Sequence, residues 1–148
     1  MQEVIYEFKS LEELEILNFI KKVNNDFFPS LSERFNIKDY SKKLVKNAVI
    51  VVAKANKKIV GCCAFYANDI VKKNAYISFI AILSNYRNIG IASNIIRNVI
   101  SYLHEKNFKS LDLEVYKNNT TAIAFYLSKG FEIKSQNKKS YFLSYSLL

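Results

Sequence analysis

One segment decides the fold of this chain: Ile80-Ala81-Ile82-Leu83-Ser84-Asn85-Tyr86-Arg87-Asn88-Ile89-Gly90-Ile91-Ala92-Ser93. Before the turn, Tyr76 to Ile82 is apolar and β-branched, which predicts a strand buried on both faces. After the turn, aliphatic residues recur at helical spacing and predict a helix from about Gly90 to Glu105. The segment therefore contains a strand, a short turn and the beginning of a helix.

The turn lies at a helix N-terminus, where N–H groups lack intrahelical partners and the macrodipole is positive. Such a terminus binds anions, most often phosphate. Gly90 lets the main chain approach a ligand without a Cβ, and Ala92 is the next smallest choice. Arg87 can add a forked, permanently charged donor. The sequence therefore predicts a ligand that carries a diphosphate, although neither a three-glycine dinucleotide fingerprint nor a Gly-Lys-Ser/Thr phosphate loop is present.

Length and composition limit the class of protein. The 148 residues, half of them hydrophobic, suit one domain spanning residues 1–148. No window is apolar over the roughly 18 residues of a membrane span, and Met1-Gln2-Glu3 does not begin a signal peptide. We therefore expect a cytoplasmic protein without a membrane partner. Cys62, Cys63 and His104 are too few to form a metal site, so we expect no metal.

The formal net charge of +9 has two explanations that the sequence leaves open. The basic residues are mostly scattered lysines, and heavy use of Lys, Asn, Ile, Tyr and Phe matches an A/T-rich coding sequence. A basic surface would also attract an anionic ligand such as coenzyme A or a nucleotide-linked sugar. Because no basic run is longer than two residues, we do not expect a nucleic-acid partner.

The order of elements follows from periodicity and turn residues. A first helix is predicted after a Ser10-Leu11-Glu12-Glu13 capping box, with Leu14, Leu17, Phe19 and Ile20 on its apolar side. Pro29 should end regular structure before a second helix through Tyr40, and a short helix should end at Gly130. Strands are predicted over Val4 to Lys9, Ala48 to Lys54, Ile59 to Tyr66, Ala75 to Ile82, Ser110 to Tyr116, Phe131 to Ser135 and Ser140 to Leu147.

Two motifs in this order resemble those of the GNAT N-acetyltransferases. The first, Arg-x-x-Gly-x-Ala from Arg87 to Ala92, resembles the acetyl-CoA signature of that superfamily. The second resembles its later pattern and consists of Leu113-Glu114-Val115, Asn119, Ala122, Phe125-Tyr126 and Gly130-Phe131. On these residues the chain is identified as a member of the superfamily, with acetyl-CoA as acetyl donor.

The resemblance implies an α/β (α+β) fold with a mixed, mostly antiparallel sheet of six to seven strands and helices on both faces. It also implies that the central strand splays from its neighbour, so that backbone groups near Ile80 and Ile82 bind the pantetheine arm. The cofactor-binding residues implied by the resemblance are Ile80, Ala81, Ile82, Arg87, Asn88, Ile89, Gly90, Ile91, Ala92, Ser93, Asn119 and Tyr126.

Two residues are candidates for the chemistry that the resemblance implies. The Tyr126 phenol, with an ordinary pKa of about 10, can protonate a departing thiolate. Glu114 matches the glutamate of relatives that acetylate protein N-termini and is the leading base candidate. Histone-acetylating relatives carry a glutamate where this chain has Tyr76. A relayed water, Glu114 or direct binding of a neutral amine therefore remain alternatives for the base.

The acceptor is expected to be the primary amine of a small molecule, such as an amino sugar or a nucleotide-linked amino sugar. In the superfamily the segment between the first two strands forms one acceptor wall. The candidate acceptor residues are Phe28, Arg34, Tyr66, Tyr76 and Ser78. Alternatives are acetylation of protein N-termini or lysines and, from another class, a non-catalytic nucleic-acid-binding module. An exposed edge strand can serve a homodimer.

Overall fold

The computed structural model describes residues 3–148, which form seven strands and five α-helices. The strands are β1 (Val4–Phe8), β2 (Val49–Ala55), β3 (Lys58–Asp69), β4 (Asn74–Ile82), β5 (Ser110–Tyr116), β6 (Glu132–Gln136) and β7 (Ser140–Ser146). The α-helices are α1 (Glu13–Val23), α2 (Leu31–Arg34), α3 (Ile37–Asn47), α4 (Ile91–Glu105) and α5 (Thr120–Ser128). Short 3₁₀ turns lie at Asn24–Asp26 and Ser84–Tyr86. The order agrees with the sequence prediction except for the short helix α2, which was not predicted.

All seven strands belong to one sheet in the order β1-β2-β3-β4-β5-β7-β6. The pair β4 and β5 is parallel, and every other neighbouring pair is antiparallel. A parallel pair needs a crossover connection, which α4 supplies. This confirms the expected mixed, mostly antiparallel sheet of the α/β class.

The parallel pairing is short. It joins Asn74 to Ser110, Ala75 to Leu111 and Tyr76 to Asp112 and extends no further among the described residues. From Ile77 onward the β4 edge therefore diverges from β5, which is the predicted splay. A β-bulge at Ser78 lies just beyond this point, because Ala64 and Phe65 pair with Phe79 and Ile77 and leave Ser78 as the additional residue.

Helices cover the sheet on both faces. One apolar cluster joins α4 and α5 to the sheet and includes Ile95, Val99 and Tyr126. A second cluster joins α1 and α3 to the opposite face of β2 to β4. Cys63 belongs to the first cluster and Cys62 to the second, because successive strand residues point to opposite faces. Both cysteines are buried, and neither forms a disulfide.

Three local predictions were wrong. The strand β4 is not buried on both faces at its beginning, since Asn74 is exposed and Tyr76 is 39% exposed. The first helix begins at Glu13 with Glu12 as N-cap, whose N–H donates to the Glu15 carboxylate, so Ser10 is not the cap. Leu14 is exposed and Ile16 is buried instead, because the face that packs on the sheet runs through Ile16, Phe19, Ile20 and Val23.

The two edges of the sheet are β1 and β6, and all five residues of β6 are exposed. A homodimer through such an edge stays a prediction. None of the helices within residues 3–148 is long and apolar enough to cross a membrane.

Candidate active site

A cleft of about 500 Å³ opens where β4 leaves β5. The end of β4, the turn before α4, the first turn of α4 and the first half of α5 form its walls. The lining residues are Asp26, Phe27, Ile80, Ala81, Ile82, Tyr86, Arg87, Asn88, Gly90, Ile91, Ala92, Ser93, Asn119, Thr121, Ala122, Phe125 and Tyr126.

The first turn of α4 supplies amide donors to this cleft. The first helical bond runs from the Asn94 N–H to the Gly90 carbonyl, so the N–H groups of Ile91, Ala92 and Ser93 have no helical partner. The N-cap is Gly90, which has no side chain to cap them. These donors, together with the positive end of the macrodipole, suit a phosphate group.

Two residues of the turn have left-handed backbone conformations, Asn88 with φ +64° and Gly90 with φ +89°. Asparagine adopts this region more readily than most residues with a Cβ, which explains how Asn88 fits the turn. A Cβ on Gly90 would meet no atom within 4 Å and would extend into open space.

Arg87 is held by two contacts. Its Nε donates to the Ile82 carbonyl at 3.0 Å, and its Nη2 forms an ion pair with Asp26 Oδ2 at 2.7 Å. Asp26 comes from the 3₁₀ turn after α1. This contact therefore joins the turn between β4 and α4, residues 83–90 and below called the phosphate turn, to the segment expected to form the acceptor wall.

The other wall belongs to α5. The Asn119 side-chain oxygen caps the helix by accepting from the Ala122 N–H at 3.2 Å, and this cap does not use the Asn119 Nδ2 group. Ala122, Phe125 and Tyr126 share a helix face toward the cleft. Burial raises the pKa of the Tyr126 phenol, with a smaller contribution from Cys63. Tyr126 is therefore protonated at neutral pH, and its phenol can act as a donor in the cleft.

The opposite face of the splay carries Glu114. Its neighbours Leu113 and Val115 belong to the apolar cluster that joins α4 and α5 to the sheet. The Glu114 side chain therefore points to the other face, where it is exposed. Tyr76 lies on this face too, and burial, followed by the negative charge of Glu114, raises the pKa of its phenol. The structure thus places the two predicted chemical groups, Tyr126 and Glu114, on opposite faces of the same opening.

The candidate acceptor residues do not form one surface. Phe28 is 71% exposed, whereas the Ser78 hydroxyl already pairs with the Tyr40 hydroxyl at 2.6 Å beneath α3. The Tyr66 hydroxyl is buried and makes no hydrogen bond within residues 3–148. Tyr66 pairs with Tyr76 across β3 and β4. Ser78 therefore supports the wall rather than offering a free hydroxyl.

Arg34 lies between aromatic rings at the edge of this region. Its guanidinium carbon is 4.3 Å from the Tyr116 ring centroid and 5.4 Å from that of Phe27, and its Nε donates to the Pro29 carbonyl. Burial lowers its pKa, and the nearby Tyr116 and Glu114 oppose this. The side chain is thus fixed close to Glu114.

Every predicted cofactor residue except Ile89 lines the cleft, and Ile89 is 60% exposed. The sequence reasoning missed Tyr86, Thr121, Ala122 and Phe125 as lining residues, although all four lie within the two motif regions. The spacing of four residues between Ala122 and Tyr126 was one available signal. Asp26 and Phe27 reach the cleft only through tertiary folding, and no local pattern indicated them.

The cleft fits the donor that the motifs imply. Coenzyme A carries a diphosphate and a long, mostly neutral arm. The unpaired amides of α4 suit the diphosphate, and the open β4 edge from Ile80 to Ile82 suits the amides of the arm. Within residues 3–148, no group of three His, Cys, Asp or Glu side chains could hold a metal ion.

Comparison with known proteins agrees with this geometry. Residues 10–131 match the sequence model of the acetyltransferase (GNAT) family. The chain is 32% identical over 124 residues to the probable N-acetyltransferase san of Drosophila melanogaster, with 82% of this chain and 66% of that protein aligned. It is 30% identical over 125 residues to N-alpha-acetyltransferase 50 of Danio rerio, with coverages of 83% and 72%.

A solved structure with the same fold is the PaiA N-acetyltransferase of Thermoplasma acidophilum in complex with coenzyme A. It has a TM-score of 0.76 and 13% identity and covers 96% of this chain and 99% of that one.

Proposed function

Because the chain belongs to the acetyltransferase (GNAT) family and uses acetyl-CoA as acetyl donor, we propose that it acetylates the α-amine at the N-terminus of a polypeptide. The observation that carries this proposal is the splay itself. Tyr126 reaches the opening from the α5 face, and Glu114 lies on the opposite, exposed face. Donor and acceptor can therefore approach from different faces. The proposal treats residues 1–148 as one catalytic domain.

The pKa of the acceptor amine is the first argument for an N-terminus. An α-amine has a pKa of about 8 and a lysine ε-amine of about 10.4, so an α-amine is much more often neutral near pH 8. Tyr76 does not provide a base, since burial raises the pKa of its phenol and keeps it protonated. Glu114 needs only to accept a proton, directly or through a water, from an amine that is already partly neutral.

The openness of the acceptor face is the second argument. Phe28 is 71% exposed and Tyr76 is 39% exposed, and Glu114 is also exposed. A polypeptide can place its terminal amine beside Glu114 and extend into solvent. Arg34, fixed beside Tyr116, can donate to a peptide carbonyl there. The relative from Danio rerio, named as an N-alpha-acetyltransferase, supports the same class of acceptor.

The proposed division of labour uses the chain's own groups. Acetyl-CoA supplies the activated acetyl thioester. The α4 amides, Arg87 and Asn119 hold the donor, and the free β4 edge orients its arm. Glu114 accepts the amine proton, and the Tyr126 phenol hydrogen-bonds the departing sulfur and supplies a proton to it. Family membership argues against the non-catalytic nucleic-acid-binding alternative.

A small amine, such as an amino sugar, is the second candidate. The exposed rings of Phe28 and Tyr76 can stack on a sugar, and the nearby Glu114 can bind its amine. Unlike a polypeptide, a small amine needs no binding groove for residues that follow the acceptor amine. It predicts that extending the acceptor adds no affinity.

The test is thiol release from acetyl-CoA with four acceptor classes: peptides with a free N-terminus, the same peptides with a blocked N-terminus and an internal lysine, amino sugars, and polyamines. We expect turnover of the free N-termini, with mass spectrometry locating the acetyl group on the α-amine. Glu114→Gln should lower kcat/KM about a hundredfold, and the matched control Asp112→Asn on the same strand face should lower it far less. Turnover of amino sugars alone would replace the proposal with the second candidate.

A further inference from the structure

An ion pair links the phosphate turn to the segment on the acceptor side. Arg87 Nη2 and Asp26 Oδ2 are 2.7 Å apart, although the residues are 61 positions apart in the chain. Both residues line the cofactor cleft. Their side chains are 42% and 39% exposed, so water screens the pair and it stabilises the fold only weakly.

The position of this carboxylate conflicts with the ligand that the cleft fits. The turn concentrates donors for a diphosphate, namely the amides of Ile91, Ala92 and Ser93 and the guanidinium of Arg87. Asp26 places a negative charge among them and engages the terminal nitrogen of that guanidinium. The Arg87 Nε is fixed on the Ile82 carbonyl, which restricts the directions that the remaining donors can take.

We propose that Asp26 competes with the diphosphate of the cofactor for Arg87, so that cofactor binding releases the segment from Asn24 to Pro29 from its ion pair with the turn. The bonds between Asn24 and Ser32 and the packing of Phe27 on Phe79 still hold the segment, so the expected change is a local shift around Asp26 and Phe28. Arg87 exchanges one oxyanion for another, which costs little because the exposed ion pair is weak. The released segment carries Phe27 and Phe28 at the edge of the acceptor region. Cofactor occupancy is thereby communicated to the acceptor wall. The inference rests on the proposed placement of the diphosphate at α4 and is independent of the acceptor's identity.

Calorimetry with coenzyme A tests the competition. Asp26→Asn keeps the side-chain shape and removes the charge, and we expect it to tighten coenzyme A binding about three- to tenfold at low salt and less at high salt. Asp39→Asn, which removes an exposed carboxylate in the first turn of α3, is the charge-matched control and should change the Kd less than twofold. In an Arg87→Gln background, Asp26→Asn should lose most of its effect on the Kd of coenzyme A.

A fluorescence measurement tests the release. The chain contains no tryptophan, so Phe28→Trp introduces a single reporter on the segment. Coenzyme A should change its emission, and Asp26→Asn should shift the emission in the same direction before coenzyme A is added. This readout requires no acceptor and no turnover.

Each outcome supports or overturns the inference. Unchanged or weaker coenzyme A binding in Asp26→Asn would overturn the inference. Asp26 would then either have no effect on cofactor binding or orient Arg87 for the cofactor. A gain fully retained in the Arg87→Gln background would replace competition by simple charge repulsion. A silent reporter would refute the release of the segment. If the wild-type protein fails to bind coenzyme A, the cofactor site itself fails, whereas failure on every acceptor leaves this inference standing.

Discussion

Replacing Gly90 by alanine tests whether the turn before α4 is the diphosphate site. Gly90 has φ +89°, and a Cβ there would meet no atom within 4 Å. The fold therefore bears only the backbone cost of a left-handed L-residue, about 1–2 kcal/mol. For a chain of this length that lowers Tm by about 2–8 °C.

The expected effect of Gly90→Ala on the cofactor is larger than its effect on stability. The added methyl extends into the cleft, or the backbone relaxes and turns the amides of Ile91 and Ala92 away. Losing one hydrogen bond to a charged group costs about 1.5–3 kcal/mol. We therefore expect coenzyme A to bind about tenfold to a hundredfold more weakly in calorimetry.

Gly130 provides a matched control. It also has a left-handed backbone, φ +100°, but it follows α5 away from the cleft and its Cβ would lie 3.2 Å from the Tyr145 ring. Gly130→Ala should cost at least as much stability as Gly90→Ala and leave the Kd of coenzyme A within about twofold. Equal losses of affinity in both variants, or normal affinity in Gly90→Ala, would refute the assignment of the turn.

Three further predictions concern other groups. Tyr126→Phe should lower kcat about a hundredfold in steady-state thiol release. The Kd of coenzyme A should stay within about twofold. An unchanged kcat would exclude Tyr126 as proton donor. Burial raises the pKa of the Cys62 and Cys63 thiols, that of Cys62 to about 12. The native protein should therefore not react with Ellman's reagent, whereas the unfolded protein should expose 2 thiols. Rapid labelling of the native protein would contradict this. Hydrogen bonds from the Ser30 N–H and hydroxyl hold the pKa of Glu33 below its usual 4.5, so their stabilisation is present above that value and lost as the pH falls through the folded pKa. Glu33→Gln should therefore lower Tm near pH 6 but not in strong acid, and a Tm difference independent of pH would contradict it.

The elements and their order follow from local signals in the sequence. Aliphatic periodicity places α4, and alternation places β5 at Ser110–Tyr116, because one buried face repeats every 3.6 or 2 residues. The segment from Ile80 to Ser93, with the resemblance that it carries, also predicts nine of its ten cleft-lining residues, all except Tyr86. Sequence neighbours remain spatial neighbours across a strand, a turn and a helix, so this part of the site is encoded locally.

The limits of local reasoning are visible at the N-terminal helix and at β4. The Ser-x-x-Glu pattern alone favoured Ser10 as the N-cap of α1. The N-cap is Glu12 instead, because tertiary packing buries Leu11 and Ile16. Tyr76 is 39% exposed, whereas Phe79, further along β4, is buried in the cluster with α1 and α3. Which strand face is covered depends on where distant helices pack, and an apolar run does not contain that information.

By itself, the sequence determined the phosphate turn, the second motif and therefore the donor. The tertiary structure alone decided that Asp26 contacts Arg87, that Ser78 is engaged by Tyr40, and that Glu114 and Tyr126 lie on opposite faces of one opening. The physical reason is separation along the chain. Contacts between residues tens of positions apart depend on strand order, on the early end of the β4 and β5 pairing, and on helix packing, whereas an anion site at a helix N-terminus needs only consecutive backbone amides.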